Sequence, residues 1–149
     1  MSLQISSPAF QNNQPIPAKY TCDGENINPP FQFSGIPANC QSLVLICDDP
    51  DAPAGTFCHW TLWNINPQEN QIAENSVPAG AVAGVTSFGR HGYGGPCPPA
   101  GAHRYIFKLY ALDIELALPP RANKSQLAHA IQGHILEQTE IIGLYSHGG

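Results

Sequence analysis

Two histidines, a tyrosine and an aspartate stand at the ends of three apolar segments of the chain. His103 and Tyr105 open the segment HRYIFKLYAL, His59 opens HWTLWNI, and Asp49 follows SLVLIC. Because alternate residues of a strand share a face, His103 and Tyr105 should point the same way. Residues beside loops at strand ends commonly build binding sites. The pattern predicts that these four side chains converge on one site.

These residue types suit a small oxyanion such as phosphate. Imidazole and phenol groups donate hydrogen bonds, and loop glycines expose backbone N–H groups. Asp49 is poorly suited to touch a bare anion, but a carboxylate can orient a neighbouring histidine and favour its imidazolium form. It can also accept from a protonated phosphate oxygen or from a ligand amine. A few charge-assisted hydrogen bonds, each contributing about 1.5–3 kcal/mol, give a dissociation constant for bare phosphate of roughly millimolar to tens of micromolar.

The same residues are compatible with other chemistry. His59, His103 and Asp49 could form a two-histidine, one-carboxylate metal site. Asp49 and His103 could act as acid and base in a hydrolase, although the sequence shows no activated nucleophile. Each residue could instead be structural, because aspartate is common in turns. The segment Gly92–Gly95 matches neither a Walker loop nor a dinucleotide fingerprint, so we expect no cofactor.

Short strands are the elements that must position the site. The apolar or aromatic segments Ser42–Cys47, His59–Ile65 and His103–Leu112 are strand candidates, and the last is the strongest. The first forty residues are rich in turn-forming residues and predict further short strands. Strict alternation in the second candidate predicts one shared face for four residues: His59, Thr61, Trp63 and Ile65.

One helix is expected near the end of the chain. Asn123 and Gln126 resemble a capping box, and Gly133 is a plausible stop. A last strand should cover Glu137–Tyr145. Many strands with so little helix predict a single domain, residues 1–149, that is mostly β: an antiparallel β-sandwich of two sheets with one or two short helices.

Charge and hydropathy exclude two classes of partner. Six Lys and Arg against eleven Asp and Glu give a net charge of −5. This balance argues against nucleic acid and against adsorption on anionic lipid. No apolar run approaches the roughly 18 residues that a membrane span needs, so we expect no stable membrane insertion.

The cysteines indicate a reducing compartment. The chain has five of them, an odd number, and no C-x-x-C pair. A disulfide framework and a structural zinc site are therefore not expected. Residues 1–10 lack a signal-peptide pattern, and we predict a cytoplasmic location, although a mature periplasmic protein without its leader would show the same pattern. Cys97 lies in a proline-rich turn near the predicted site, where a redox-sensitive thiol is one interpretation.

Two motifs in this order resemble the signature of the phosphatidylethanolamine-binding protein family. They are the Asp49–Pro53 turn, DPDAP, and the later G-x-HRY of Gly101–Tyr105, with His59 and Gly95–Pro96 between them. The segment Tyr20–Asn26 is similar to the bacterial and archaeal branch, often called Raf kinase inhibitor-like proteins. The resemblance extends over nearly the whole chain.

The resemblance implies a sandwich of two antiparallel sheets with a phosphate-sized pocket at one end. It implies a cis peptide in the DPDAP turn, which we assign to Ala52–Pro53. It also implies a more open pocket than in eukaryotic members, because the chain ends without their C-terminal helix. The ligand-binding residues that it implies are Asp49, Pro53, His59, His103 and Tyr105, with Gly95, Pro96 and Cys97 at the rim.

The resemblance favours one function over two alternatives. The favoured function is binding of a phosphorylated small molecule or a phospholipid headgroup, with modulation of a partner protein. The first alternative is an inhibitor of a kinase or protease that acts by protein contact, with Phe88 and Tyr93 at the tip of an exposed loop, Ser87–Gly94. The minor alternative is the hydrolase considered above. Bacterial relatives suggest a homodimer.

Overall fold

A six-stranded sheet forms the centre of the structure, a computed structural model that describes residues 2–146. In spatial order its strands are β2 (Gln14–Pro15), β9 (Ile135–Ser146), β8 (Ala102–Leu112), β4 (Ser42–Asp49), β5 (Phe57–Ile65) and β7 (Val82–Ala83). A three-stranded sheet has the order β1 (Gln4–Ser6), β3 (Phe31–Ser34) and β6 (Gln71–Ile72). The paired strands are antiparallel except β2 and β9. The predicted sandwich of two sheets is confirmed.

Apolar side chains cover both faces of the six-stranded sheet. One face packs against the smaller sheet, where the rings of Phe31 and Phe107 lie 4.8 Å apart. The other face, with Val44 and Trp63, packs against the α-helix α1 (Lys124–Ile131) through buried Leu127, and a short 3-10 helix covers Ala18–Tyr20. Strand β4 is buried along its whole length, as its continuous apolar run predicts.

Local sequence accounts for both ends of α1. The Asn123 side chain accepts from the backbone N–H of Gln126 at 3.0 Å, and the Gln126 side chain accepts from the backbone N–H of Asn123 at 2.9 Å. These two bonds form the predicted capping box. Gly133, with φ +81°, follows the helix in the left-handed region that favours glycine. No helix within residues 2–146 has the length and apolar character needed to cross a membrane.

Irregularities in β5 separate four residues for which the sequence predicts one shared face: His59, Thr61, Trp63 and Ile65. The register against β4 shifts twice. Trp60 and Ile65 lie in the core between the sheets, whereas Trp63 lies on the helix side. Asn64, between Trp63 and Ile65, has φ +56°. The prediction is wrong because a register irregularity changes the face on which the next residues point.

A disulfide bond joins Cys22 and Cys97, which are 75 residues apart. Their Cα atoms lie 5.5 Å apart, and Cys40, Cys47 and Cys58 are free and buried. The expectation that the chain forms no disulfide is wrong, because pairing depends on proximity in the fold and not on the parity of the count. Cys97 therefore has no free thiol, and the cysteine argument for a reducing compartment loses its support.

Removing this bond should destabilise the protein. Closing a loop of about 75 residues restricts the unfolded chain and contributes about 4 kcal/mol in the chain-entropy model. We expect the double variant Cys22→Ser/Cys97→Ser to lose about that free energy of unfolding in non-reducing denaturant titrations. Dithiothreitol should lower the midpoint of the parent chain and leave the double variant unchanged. Equal midpoints without reductant would contradict a stabilising bond.

Candidate functional site

A cavity of about 190 Å³ lies at one end of the large sheet, where β4 ends and β5 and β8 begin. This placement follows from antiparallel pairing, which brings the end of β4 beside the starts of both neighbours. Six of the eight residues predicted for the site line the cavity: Asp49, Pro53, His59, Cys97, His103 and Tyr105. The sequence therefore located most of the cavity wall.

Gly95 and Pro96, the other two predicted residues, support the rim from behind. The Gly95 N–H donates to Asn26 Oδ1 at 2.8 Å, and the Pro96 carbonyl accepts from the Cys22 N–H at 3.1 Å. A Cβ on Gly95 would lie 2.5 Å from the carbonyl oxygen of Tyr20. Only glycine permits this close approach of two backbone segments. Neither residue lines the cavity itself, and both lie in the turn that leads to Cys97 in its wall.

Asp49 holds His103 in one orientation. Its Oδ2 accepts from His103 Nδ1–H at 2.7 Å, and the two residues are only 3% and 7% exposed. Its Oδ1 accepts from the backbone N–H of Asp51 at 2.8 Å. The predicted orienting role of Asp49 is confirmed, and Nε2 is the ring nitrogen of His103 that remains for a ligand.

His59 is held by a backbone carbonyl. Its Nδ1 lies 2.7 Å from the carbonyl oxygen of Gly94. Because a carbonyl oxygen can only accept, the proton is on Nδ1, and Nε2 remains for a ligand. The residue is 4% exposed, and burial lowers the pKa of its imidazole. The edge of the ring faces Tyr105, with centroids 5.2 Å apart.

Tyr105 supplies a buried hydroxyl. Its ring stacks on His103, with centroids 6.5 Å apart, so the predicted shared face of these two residues is confirmed. The hydroxyl makes no hydrogen bond of normal geometry with a described residue, although the Asp49 carboxylate is close enough to compete as an acceptor. Burial, and then the negative charge of Asp49, raises the pKa of the phenol. Tyr105 is therefore a hydrogen-bond donor at neutral pH.

Aromatic and proline side chains form the rest of the wall, and sequence reasoning missed them. Phe88 packs against Phe57 and His59, with centroids 4.8 and 5.3 Å apart, and is 37% exposed. The residues of the wall that were not predicted are Ala52, Phe57, Phe88, Pro98 and Pro99. The prolines could have been inferred as neighbours of Cys97, whereas no local pattern places Phe88 at the cavity.

The loop Ser87–Gly94 does not present a paired aromatic tip. Phe88 faces the cavity, whereas the Tyr93 hydroxyl donates to the Tyr20 carbonyl at 2.7 Å. The Tyr93 ring lies edge-on to Trp60 at 5.5 Å. The loop is exposed over residues 87–91, as expected, but Tyr93 does not lie at an exposed tip because its ring and hydroxyl are bound within the fold.

A bidentate ion pair fixes the DPDAP turn to β8. Arg104, which points away from the cavity, donates from Nε and Nη2 to the two carboxylate oxygens of Asp51 at 3.0 and 2.9 Å. These hydrogen bonds lower the pKa of Asp51 to about 2. Residues 2–146 contain no cis peptide, so the assignment of one to Ala52–Pro53 is wrong.

The polar side chains of Asp49, His59, His103 and Tyr105, which form the floor of the cavity, offer fewer hydrogen-bond donors than the sequence suggests. Both Nδ1–H groups are engaged, which leaves two imidazole Nε2 atoms, the Asp49 carboxylate and the Tyr105 hydroxyl. No lysine or arginine is among the described residues of the wall. Residues 2–146 also hold no cluster of three or more His, Cys, Asp or Glu arranged to bind a metal ion. The metal-site interpretation therefore has no geometric support.

Acid should destabilise the protein through His59. Because burial lowers its pKa below the ordinary 6.5, the folded state binds fewer protons than the unfolded state just below that pH. The stability that this group contributes is complete above pH 6.5 and is lost as the pH falls through the folded-state pKa. Denaturant unfolding at about pH 7.5 and about pH 5.5 measures the loss.

The control compares two histidines. His59→Gln should reduce the difference in stability between the two pH values, whereas His129→Gln, on the exposed side of α1, should not. An unchanged pH dependence in His59→Gln would show that another group is responsible.

Known proteins are similar to this chain in both sequence and fold. A family model described as "Phosphatidylethanolamine-binding protein" matches residues 6–146. A UPF0098 protein of Methanothermobacter thermautotrophicus is 46% identical over 98% of this chain and all of its own length. The UPF0098 protein PH1269 of Pyrococcus horikoshii is 49% identical over 97% of this chain and 77% of its own.

Two crystal structures are similar over nearly their full length. The phosphatidylethanolamine-binding protein homologue CT736 of Chlamydia trachomatis is 41% identical, with a TM-score of 0.94 and 97% of each chain covered. YbcL of Escherichia coli, described as a member of the mammalian family, is 26% identical, with a TM-score of 0.92 and 98% and 99% covered. The chain therefore belongs to the phosphatidylethanolamine-binding protein family.

Proposed function

We propose that the cavity binds the phosphate group of a phosphorylated small molecule or of a phospholipid headgroup. The observation that carries the proposal is the Tyr105 hydroxyl, which is buried in the cavity wall and has no hydrogen-bond partner among the described residues. An unpaired buried hydroxyl costs about 1–3 kcal/mol. A ligand oxygen that accepts from it recovers that cost.

The histidines complete the binding surface. Asp49 fixes the His103 ring with Nε2 available, and an imidazolium at this position would donate a second hydrogen bond to the same anion. The volume of about 190 Å³ suits a small ligand group. Membership of the family supports ligand binding of a general kind.

The rigid wall should lower the entropic cost of binding. Pro53 belongs to a turn that Arg104 anchors, and Cys97 is tied to Cys22. Restraint of loops before the ligand arrives improves affinity because less ordering remains to be done. The apolar part of the wall, including Phe88, would contact the carbon portion of the ligand.

Modulation of a partner protein, a homodimer and a cytoplasmic location belong to the same proposal. They rest on the family resemblance, and the resemblance supports ligand binding more directly. Sedimentation velocity tests the dimer, and cell fractionation tests the location. A sedimentation coefficient that stays monomeric at high protein concentration would contradict the dimer.

Tyr105→Phe should weaken phosphate binding without weakening the fold. Loss of a hydrogen bond to a charged ligand costs about 1.5–3 kcal/mol, or roughly tenfold or more in affinity. The unliganded variant should be at least as stable as the parent, because the hydroxyl that it removes has no partner among residues 2–146. Titration with inorganic phosphate, followed through the ring signals of His59 and His103, measures the affinity.

Tyr110→Phe is the matched control, because Tyr110 is half-buried on the opposite face of the same strand. It should bind phosphate like the parent protein. If no histidine signal shifts at millimolar phosphate in the parent protein, the proposed function is wrong. If Tyr105→Phe binds as the parent does, the hydroxyl has no part in binding.

A further inference from the structure

The hydrogen-bonding groups of the cavity do not match a fully deprotonated anion. Such an anion offers only acceptors and carries high negative charge. The cavity has one carboxylate, Asp49, and no lysine or arginine among the described residues of its wall. His59 also presents an acceptor, because its only proton in the neutral form is bonded to Gly94.

The surroundings of His59 keep it in this acceptor form. The titratable groups that face it in the cavity are Asp49 from β4 and His103 and Tyr105 from β8, and the charge of Asp48, also on β4, acts on it as well. Cys97 in the adjoining turn does not titrate because it is in a disulfide. The phenol is neutral and Asp49 is already engaged with His103. Burial outweighs the negative charges nearby and lowers the pKa of His59.

We propose that this cavity selects oxyanions that carry a proton, namely hydrogen phosphate and singly protonated phosphate monoesters, over phosphodiesters and sulfate. The selecting residue is His59. The proposal rests on the proposed function and deepens it by naming the class of ligand.

The proposed contacts pair each donor with an acceptor. The P–OH group of the ligand donates to Nε2 of His59, while a second ligand oxygen accepts from the Tyr105 hydroxyl. His103, held by Asp49, donates from Nε2 to a third oxygen in its imidazolium form. An anion without a proton leaves the lone pair of His59 facing a negative oxygen, which is repulsive.

The acidity of each candidate ligand determines whether it carries a proton near neutral pH. The second proton of a phosphate monoester leaves with a pKa of about 6, so near that pH a large fraction carries a P–OH group. A phosphodiester has a single acidic group, which is ionised at neutral pH, and sulfate is likewise fully deprotonated. Phospholipids with an esterified headgroup are diesters, so the proposal favours monoesters as the phosphate source.

Matched anion pairs test the proposal by calorimetry on the parent protein at about pH 6. Inorganic phosphate is compared with sulfate, which has the same shape, and methyl phosphate is compared with dimethyl phosphate. We expect the first member of each pair to bind at least about tenfold more tightly, the value of one well-formed hydrogen bond in such a site. Free phosphate monoesters and lipid headgroups share the phosphate group, and every anion tested except sulfate contains it.

The outcomes separate the two proposals. If sulfate and dimethyl phosphate bind within about twofold of their partners, selection by the ligand proton is wrong and phosphate-group binding stands. If none of the four anions binds at millimolar concentration, the proposed function itself is wrong. Selection in both pairs supports the proposal, and selection in only one pair contradicts it, because net charge (phosphate against sulfate) or size (methyl against dimethyl phosphate) would then explain the difference.

His59→Leu assigns the selection to one side chain. It should weaken phosphate binding, because the acceptor for the P–OH group is lost, and strengthen sulfate binding, because the repulsive lone pair is removed, so the affinity ratio falls towards one. The control His129→Leu, an exposed histidine on α1, should retain the ratio of the parent. An unchanged ratio of phosphate to sulfate affinity in folded His59→Leu would overturn the role of His59. If that variant does not fold, the anion pairs measured on the parent protein decide the proposal.

Discussion

The buried hydrogen bond between Asp49 and His103 is the interaction on which the candidate site depends. It joins the end of β4 to the start of β8 at 2.7 Å, and both partners are almost fully buried. Without the histidine, a carboxylate would be buried and uncompensated, which is strongly destabilising. The bond also fixes the ring of His103, so one contact joins the two strand ends and sets the ring orientation at the cavity floor.

Two further contacts restrain the turns on either side of the cavity floor. Arg104 holds the turn on one side through both carboxylate oxygens of Asp51, and the Cys22–Cys97 bond holds the turn on the other side. Because Arg104 and Tyr105 are adjacent on β8, alternation places the Arg104 anchor outside and the Tyr105 ring in the cavity wall. The same strand geometry therefore positions both the surface ion pair and the cavity wall.

Regular elements were predictable from the sequence, and long-range exceptions were not. The shared face of His103 and Tyr105 and the capping box at Asn123 follow from local periodicity. The register shifts of β5 and the disulfide depend on partners far along the chain, so local alternation and cysteine counting both failed. The sequence also suggested more hydrogen-bond donors at the cavity floor than the structure has, for the same reason. The carbonyl oxygen that accepts from His59 belongs to a residue 35 positions away along the chain.

The unpaired hydroxyl of Tyr105 separates stability from function more clearly than any other group in the cavity. A phenylalanine would fill the same buried space, make the same stacking contacts and bury no unpaired donor. On stability alone phenylalanine is therefore the better residue at this position, since an unpaired buried donor costs about 1–3 kcal/mol. Under the proposal, a ligand oxygen accepts a hydrogen bond from the Tyr105 hydroxyl. The neutral imidazole of His59 beside it is an acceptor, so the same ligand must also carry a donor. An oxyanion with one proton satisfies both requirements.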